Sequence, residues 1–191
     1  MKIIKKLNEN QDNKEKHTKV EIIILKKLKH PNIVKFFTYF EDNDYYYSII
    51  EYIKGPNLFD LYISYKINNK TFEEKFLWDL LGQCLEAITY IHSKGVIHRD
   101  IKLLNIMLDE NNKIKIIDFN GAGVMDKAAA RAFTSDQKDL KNILSAGTAI
   151  TNSFEAPEVY QNKYNAKIDI FSLGRVFYEL SIINNNNIFN Y

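Results

Sequence analysis

Three polar side chains in one short segment are of the types that could together catalyse the transfer of a phosphoryl group. Residues 98–105 read HRDIKLLN and include Asp100, Lys102 and Asn105. A carboxylate can accept the proton of a hydroxyl nucleophile, and a lysine can neutralise charge on the phosphoryl group that moves. An amide oxygen beside a second carboxylate can hold a hard cation such as Mg²⁺. The segment therefore indicates phosphoryl transfer, provided that a second carboxylate lies nearby.

Asp118 is the candidate for that second carboxylate. It lies in residues 116–123, IIDFNGAG, where an apolar strand runs into an aspartate and then into Asn-Gly. Asn-Gly between two apolar runs is a strong hairpin signal, but the residues that follow are small and turn-like and do not alternate. We therefore predict that the strand ends in a loop with Asp118 at its mouth. A hairpin of residues 106–108 and 114–117 would bring Asp118 back to Asn105.

The elements that must position these residues change in type along the chain. Composition and period predict strands at residues 2–7, 33–40 and 45–52. They predict helices at residues 15–29, 58–65 and 166–180, and a further helix that begins at a Thr71–Glu74 capping box and ends at Gly95. Residues 120–155 show no clear period, so we predict a long loop there. This layout predicts an α+β fold with a small sheet-rich lobe followed by a larger, mainly helical lobe.

Composition and charge exclude several classes of protein. The 191 residues are 46% hydrophobic and 26% charged, which is typical of globular proteins. A formal net charge of +2 does not favour nucleic acid or an anionic membrane as a partner, and we find no signal peptide or membrane segment. The single cysteine, Cys84, excludes an internal disulfide and is predicted to be a core residue. We expect an intracellular, cytoplasmic protein.

Four motifs together resemble those of the eukaryotic protein kinases. The segment HRDIKLLN resembles the catalytic loop of that family, and the DFN at 118–120 resembles its Asp-Phe-Gly motif. Residues 156–158 read APE, as at the end of the family's activation segment, and 169–174 resemble its next helix signature. The resemblance covers residues 2 to 180 and implies a two-lobed protein-kinase-like fold, with residues 1–53 in the small lobe and 54–191 in the large one. It also implies ATP, Mg²⁺ and a protein substrate.

The resemblance assigns a catalytic role to three residues. Asp100 takes the place of the catalytic base, and Lys102 takes that of a charge-neutralising lysine. Lys102 follows the aspartate by two residues, which resembles serine/threonine kinases rather than tyrosine kinases, so a protein serine or threonine hydroxyl is the expected acceptor. Asn105 belongs to the catalytic group and, with Asp118, is expected to bind magnesium.

The same resemblance assigns the nucleotide site. Lys2 stands where the family's strand lysine meets the nucleotide phosphates, and Glu21 is its expected helix partner. Glu51 and Ile53 are expected to offer backbone hydrogen bonds to adenine, and Met107 to lie against the adenine ring.

Two positions depart from the family pattern or leave it open. Asn120 replaces the glycine of the Asp-Phe-Gly motif, and asparagine tolerates a left-handed backbone better than most residues. Two threonines compete for the place that faces the catalytic aspartate: spacing favours Thr151, and the Gly-Thr pair favours Thr148. Of the two, Thr151 is the expected residue.

The ends of the chain raise an alternative to an ordinary active kinase. The family has a glycine-rich loop before the strand lysine and an arginine that pairs with the glutamate corresponding to Glu158, and neither is found in the 191 residues. We therefore expect a kinase domain truncated at both ends, as a fragment of a longer kinase. The alternatives are an impaired, pseudokinase-like scaffold that binds protein partners and a small-molecule phosphotransferase. Lys102 and the APE segment speak against the last one.

Overall fold

The computed structural model describes residues 1–6, 12–145, 155–161 and 165–183, with the backbone alone at 12–14, 145, 160 and 161. Thr148 and Thr151, the competing threonines, lie outside these residues. The described strands are β1 (Lys2–Lys5), β2 (Phe36–Glu41), β3 (Tyr45–Ile50), β4 (Val96–Ile97), β5 (Ile106–Leu108), β6 (Ile114–Ile116) and β7 (Gly123–Val124). The described helices are α1 (Asp12–Lys27), α2 (Leu58–Ile67), α3 (Glu74–Ser93), α4 (Lys127–Phe133), α5 (Gln137–Ser145) and α6 (Lys167–Ile182).

The predicted α+β fold is confirmed: a small sheet precedes a larger, mainly helical part. The sheet is antiparallel in the order β1-β3-β2, with Lys2 opposite Ser48 and Phe36 opposite Ile50. Helix α1 packs beside it, and its six consecutive residues 20–25 are all buried, with Val20 and Ile24 fully so. The carboxylate of Glu21 is thereby carried into the interior.

Helix α3 forms the centre of the helical part. Leu80, Cys84, Ile88 and Ile91 form a buried apolar stripe along it, and Cys84 is the fully buried core residue that the sequence predicts. Gly95 follows the helix with φ +74°, a left-handed conformation that favours glycine at the end of a helix. The predicted capping box is wrong, because the helix begins at Glu74 after Glu73, with no side-chain cap. Phe72 stacks on Tyr65 with ring centroids 4.1 Å apart, which places the preceding segment against α2 instead.

The prediction of a loop over residues 120–155 is wrong in part, since β7, α4 and α5 lie within it. Asp126 begins α4 by accepting a hydrogen bond from the amide of Ala129 at 2.8 Å. Phe133 in α4 and Ile143 in α5 are buried against α1 and its surroundings. Both helices are shorter than the window of about 11–18 residues in which a helical period stands out, so the sequence pattern did not reveal them.

The strand that leads to Asp118 does not continue as a hairpin through Asn-Gly. Strand β6 pairs with β5, as predicted, and the chain then turns at residues 120–121. The return residues, predicted to be turn-like, nevertheless form β7, which pairs with β4 at Val96 and Ile97. A Cβ at Gly123 would lie 2.3 Å from the guanidinium of Arg99, so the glycine leaves room for that side chain. No helix among the described residues is long and apolar enough to cross a membrane.

Candidate functional site

A cleft of about 430 Å³ lies between the sheet and the β5–β6 hairpin, a volume in the range of small-molecule sites. Every residue that the sequence assigned to nucleotide binding lines this cleft, and so does Asn105; the assigned set is Lys2, Glu21, Glu51, Ile53, Met107 and Asp118. Asp100 and Lys102 are not among the lining residues. Asp100 is joined to the cleft by the hydrogen bond that it accepts from Asn105, and Lys102 in turn donates to Asp100.

One end of the cleft holds a lysine between two carboxylates. Lys2 Nζ lies 2.8 Å from both carboxylate oxygens of Glu21 and 3.0 Å from Oδ1 of Asp118. Glu21 is only 3% exposed, and its Oε1 also accepts the backbone amide of Phe119 at 3.2 Å. A nearly buried glutamate needs such partners, because an unpaired buried charge is strongly destabilising. The pair of Lys2 and Glu21 that the resemblance implies is therefore present.

Burial and charge shift the pKa values of this cluster in different directions. Burial raises the pKa of Glu21 above its ordinary value. Burial alone would lower the pKa of Lys2, but the carboxylates of Glu21 and Asp118 outweigh it and raise that pKa. Burial would raise the pKa of Asp118, but Lys2 and the backbone amide of Asn120 hold it below its usual range. At neutral pH the cleft therefore presents a charged ammonium beside an ionised Asp118.

A second polar group lies in the 98–105 loop. Lys102 Nζ lies 2.9 Å from Oδ1 and 2.8 Å from Oδ2 of Asp100. Asn105 Nδ2 donates to the backbone oxygen of Asp100 at 2.9 Å and to its Oδ2 at 2.7 Å. Both bonds use the amide nitrogen of Asn105. Its amide oxygen makes no hydrogen bond to any described residue, so it can accept another ligand. Asn105 is thus the residue that connects this group with the cleft.

Buried polar residues support the loop from beneath. His98 is fully buried and packs edge-on against Phe119 with ring centroids 4.6 Å apart. Its Nδ1 accepts the amide of Asp100 at 3.2 Å, so Nε2 is the nitrogen that donates to the carbonyl of Ile117 at 3.1 Å. This neutral tautomer links the residues on both sides of the β5–β6 hairpin.

Sequence reasoning missed the contribution of Asp169. It noted this residue only as part of a helix signature. An aspartate in the first turn is ordinary in exposed helices too, so the sequence pattern carries no signal of its buried role. The side chain is 1% exposed and accepts the amides of His98 at 2.9 Å and Arg99 at 2.8 Å, and it also contacts His92 Nε2 at 2.8 Å. Arg99 has φ +65°, a conformation that costs about 1–3 kcal/mol. Asp169 therefore helps to hold the loop in a strained form.

The left-handed residue of the 118–120 motif is Asp118 and not Asn120. Asp118 has φ +59°, whereas Asn120 is absent from the described residues with positive φ. Asn120 therefore does not adopt the left-handed conformation that asparagine tolerates, and this tolerance does not explain the residue at position 120. The Asn120 backbone amide, which helps to lower the pKa of Asp118, is available from any residue except proline.

The oxygens that line the cleft suit a magnesium ion shared with phosphate. Asn105 and Asp118 offer an amide oxygen and a carboxylate, which are hard ligands. Over the described ranges, no group of three or more His, Cys, Asp or Glu side chains could enclose a metal. Mg²⁺ is commonly held by one or two carboxylates together with substrate phosphates, so the donor set fits this ion.

Comparisons with known proteins agree with one another. A family model described as protein kinase domain matches residues 1–190. Calcium-dependent protein kinase 4 of Plasmodium berghei is 38% identical over 164 residues, which are 84% of this chain and 28% of that protein. Calcium/calmodulin-dependent protein kinase type 1 of Macrobrachium nipponense is 34% identical over 171 residues, which are 87% of this chain and 44% of that protein.

A third relative is similar over the same share of the chain. Serine/threonine-protein kinase Nek9 of Mus musculus is 35% identical over 161 residues, which are 84% of this chain and 15% of that protein. The chain spans less than half of the length of each of these three relatives.

Proposed function

Because the chain belongs to the protein kinase family, we propose that it transfers the terminal phosphate of ATP to serine and threonine hydroxyls of proteins. The observation that carries this proposal is the arrangement around Asn105. Its side chain is hydrogen-bonded to Asp100 and also lines the cleft that contains Lys2 and Asp118. A hydroxyl bound at Asp100 would therefore lie next to the phosphate end of a bound nucleotide.

The proposal gives each end of the cleft a separate role. Residues 1–53 form the small lobe and 54–191 the large lobe, with the nucleotide between them. Lys2, fixed by Glu21, neutralises charge on the nucleotide phosphates. At the other end of the cleft, the Glu51 carbonyl and the Ile53 amide bind the edge of adenine, and Met107 packs against its face.

Magnesium is proposed to lie between Asn105 and Asp118. When bound, the ion neutralises charge on the phosphate oxygens. Asp118 is suited to this position because its depressed pKa keeps the carboxylate ionised. Asn105 is suited because its amide nitrogen donates to Asp100, while its amide oxygen is bonded by none of the residues that the structure describes.

Asp100 and Lys102 are proposed to act on the acceptor. Asp100 accepts the hydroxyl proton and orients the oxygen for in-line attack. Lys102 contacts both oxygens of Asp100 and so places its ammonium beside the phosphoryl group in transit. The acceptor oxygen forms the new bond to phosphorus, the bond to the leaving diphosphate oxygen breaks, and the proton moves to Asp100.

Phosphate incorporation tests the proposal. The purified protein is incubated with magnesium, ATP carrying a labelled terminal phosphate, and a generic serine/threonine protein substrate, with Asp100→Asn as the blank. Label on serine or threonine above that blank is expected. Nucleotide binding without transfer would instead support the scaffold alternative, and label that enters hydroxylated metabolites but not protein would support a small-molecule phosphotransferase.

A further inference from the structure

The segment that joins the two lobes contains an irregular backbone pair. Lys35 and Glu51 face each other just beyond the paired ends of β2 and β3, and the amide of Glu51 donates to the carbonyl of Lys35 at 2.8 Å. In a regular antiparallel pair of this kind, the amide of Lys35 would return a bond to the carbonyl of Glu51. It donates instead to the side-chain Oε2 of Glu51 at 3.0 Å. The side-chain carboxylate of Glu51 thus accepts the Lys35 amide, which would otherwise donate to the backbone carbonyl of Glu51.

Lys115 holds the carboxylate in this position. Its Nζ lies 2.8 Å from Oε1 and 2.9 Å from Oε2 of Glu51, across a sequence separation of 64 residues. The side chains of Lys115 and Glu51 are only 14% and 27% exposed. An ion pair with so little solvent contact is screened less than a surface pair, so loss of Lys115 would release the Glu51 carboxylate towards water.

The rest of the joining segment is held by backbone contacts to β5, the strand that pairs with β6. The carbonyl of Pro56 accepts the amide of Leu108 at 2.9 Å. Gly55 permits that approach, because a Cβ there would lie 2.2 Å from the carbonyl oxygen of Leu108. Lys54 and Glu110 also form an ion pair at 3.4 Å, but both side chains are exposed, and such pairs contribute little. The segment as a whole therefore does not depend on Lys115, which leaves a local role for this lysine.

We propose that Lys115 is a positioning residue that keeps the Glu51 carbonyl open to the exocyclic amine of adenine. By fixing the Glu51 carboxylate on the amide of Lys35, it prevents that amide from closing onto the carbonyl. The inference rests on the proposed binding of ATP in the cleft. It adds that the charge of Lys115 on β6, a residue that is not among those lining the cleft, sets the preference for a purine that carries a 6-amino group.

The test compares two nucleotides that differ only in that amine. Magnesium complexes of ATP and of purine riboside triphosphate, which lacks the 6-amino group, are titrated into the wild-type protein and into Lys115→Met. The wild type should prefer ATP by about fivefold, which corresponds to one net hydrogen bond of about 1 kcal/mol. In Lys115→Met that preference should fall to about one, because ATP loses the contact while the analogue had none to lose.

Three further variants separate this role from general stability. Lys115→Arg keeps the charge and should retain the preference for ATP. Lys113→Met removes an exposed lysine from the same hairpin and should leave both affinities within about twofold. Glu51→Ala should abolish the preference by itself, and Lys115→Met should then cause no further change in it.

The remaining outcomes contradict either the role of Lys115 or the proposed function. If Lys115→Met weakens both nucleotides equally, or leaves the preference for ATP intact, Lys115 is a structural residue and the inference is wrong. A wild type that binds both nucleotides equally well also overturns it, although the proposed function would stand. A wild type that binds neither nucleotide overturns the proposed function and this inference with it.

Discussion

The lysine cluster in the cleft and the 98–105 loop have similar polar residues but are assembled differently. Lys2 contacts Glu21 and Asp118 across separations of 19 and 116 residues. Asp100 contacts Lys102 and Asn105 across separations of only 2 and 5. The cluster depends on how β1, α1 and the end of β6 pack together, whereas the contacts within the loop form in one short segment. Changes in remote packing should therefore affect the cluster more than the loop.

The supports of the two regions differ in the same way. The loop is attached to α6 by hydrogen bonds to the buried carboxylate of Asp169. The cluster depends on α1, which packs against β2, α4 and α5 and is also tied to α4 by a hydrogen bond from Lys27 Nζ to the carbonyl of Ala132 at 3.0 Å. Helices α4 and α5, which sequence reasoning missed, are thus part of what places Glu21.

The largest expected effect separates the roles of the two aspartates. Asp100→Asn should slow phosphate transfer by about 10²–10⁴-fold, because the proton acceptor is lost, and should leave nucleotide affinity unchanged. Asp118→Asn should weaken the magnesium-dependent part of nucleotide binding, because its carboxylate is assigned to the metal. Titration of nucleotide with and without magnesium, followed by a transfer assay, measures both quantities. An equal loss of binding in the two variants would refute the division of roles.

A cavity beneath α1 should disturb the cluster but not the loop. Ile143→Ala removes a buried side chain of α5 and should lower the free energy of unfolding by about 2–5 kcal/mol. Nucleotide affinity should fall in the molecules that remain folded, since α1 carries Glu21. Leu144→Ala is the matched control, because this neighbour on α5 is 43% exposed. Denaturant unfolding and nucleotide titration measure the two effects. If Ile143→Ala is destabilised yet binds nucleotide as tightly as the wild type, α5 does not position Glu21.

Alkaline pH should reveal the charge on Lys2. A lysine with a raised folded-state pKa contributes stability that is fully present below its ordinary value of 10.5 and is lost as pH rises through the folded value. Lys2→Met should therefore lose less stability between neutral pH and the region above pH 10.5 than the wild type does. Urea unfolding across that range tests this, with the exposed Lys5→Met on the same strand as the control. Parallel curves for Lys2→Met and the wild type would contradict the prediction.

The smallest effect is expected at Asn120. Its side-chain Oδ1 is buried and has no hydrogen-bond partner among the described residues, and its backbone amide remains in a glycine variant. Asn120→Gly should therefore leave magnesium affinity within about twofold. A tenfold loss, equivalent to about 1.4 kcal/mol, would show that Asn120 is itself a ligand.

The sequence predicted the parts of the molecule that are encoded locally. The β5–β6 hairpin, helix α3 and its end at Gly95 follow from period and turn chemistry, and the structure has all three. Short elements were harder to predict. Helices α4 and α5 have 7 and 9 residues, and β7 has 2. Their apolar residues become recognisable as core positions only when α1 and β4 are beside them.

The sequence by itself determined the order and spacing of the motifs, and with them the family, the α+β fold and the grouping of Asp100, Lys102 and Asn105. Contacts between residues a few positions apart are limited by the short chain between them, so a local motif specifies them. Only the tertiary structure decided that Asp118 rather than Asn120 takes the left-handed backbone, that Asp169 supports Arg99, and that Lys115 holds Glu51. The contacts of Asp169 with Arg99 and of Lys115 with Glu51 join residues 70 and 64 positions apart. Their geometry depends on the packing of whole elements, which no single segment encodes.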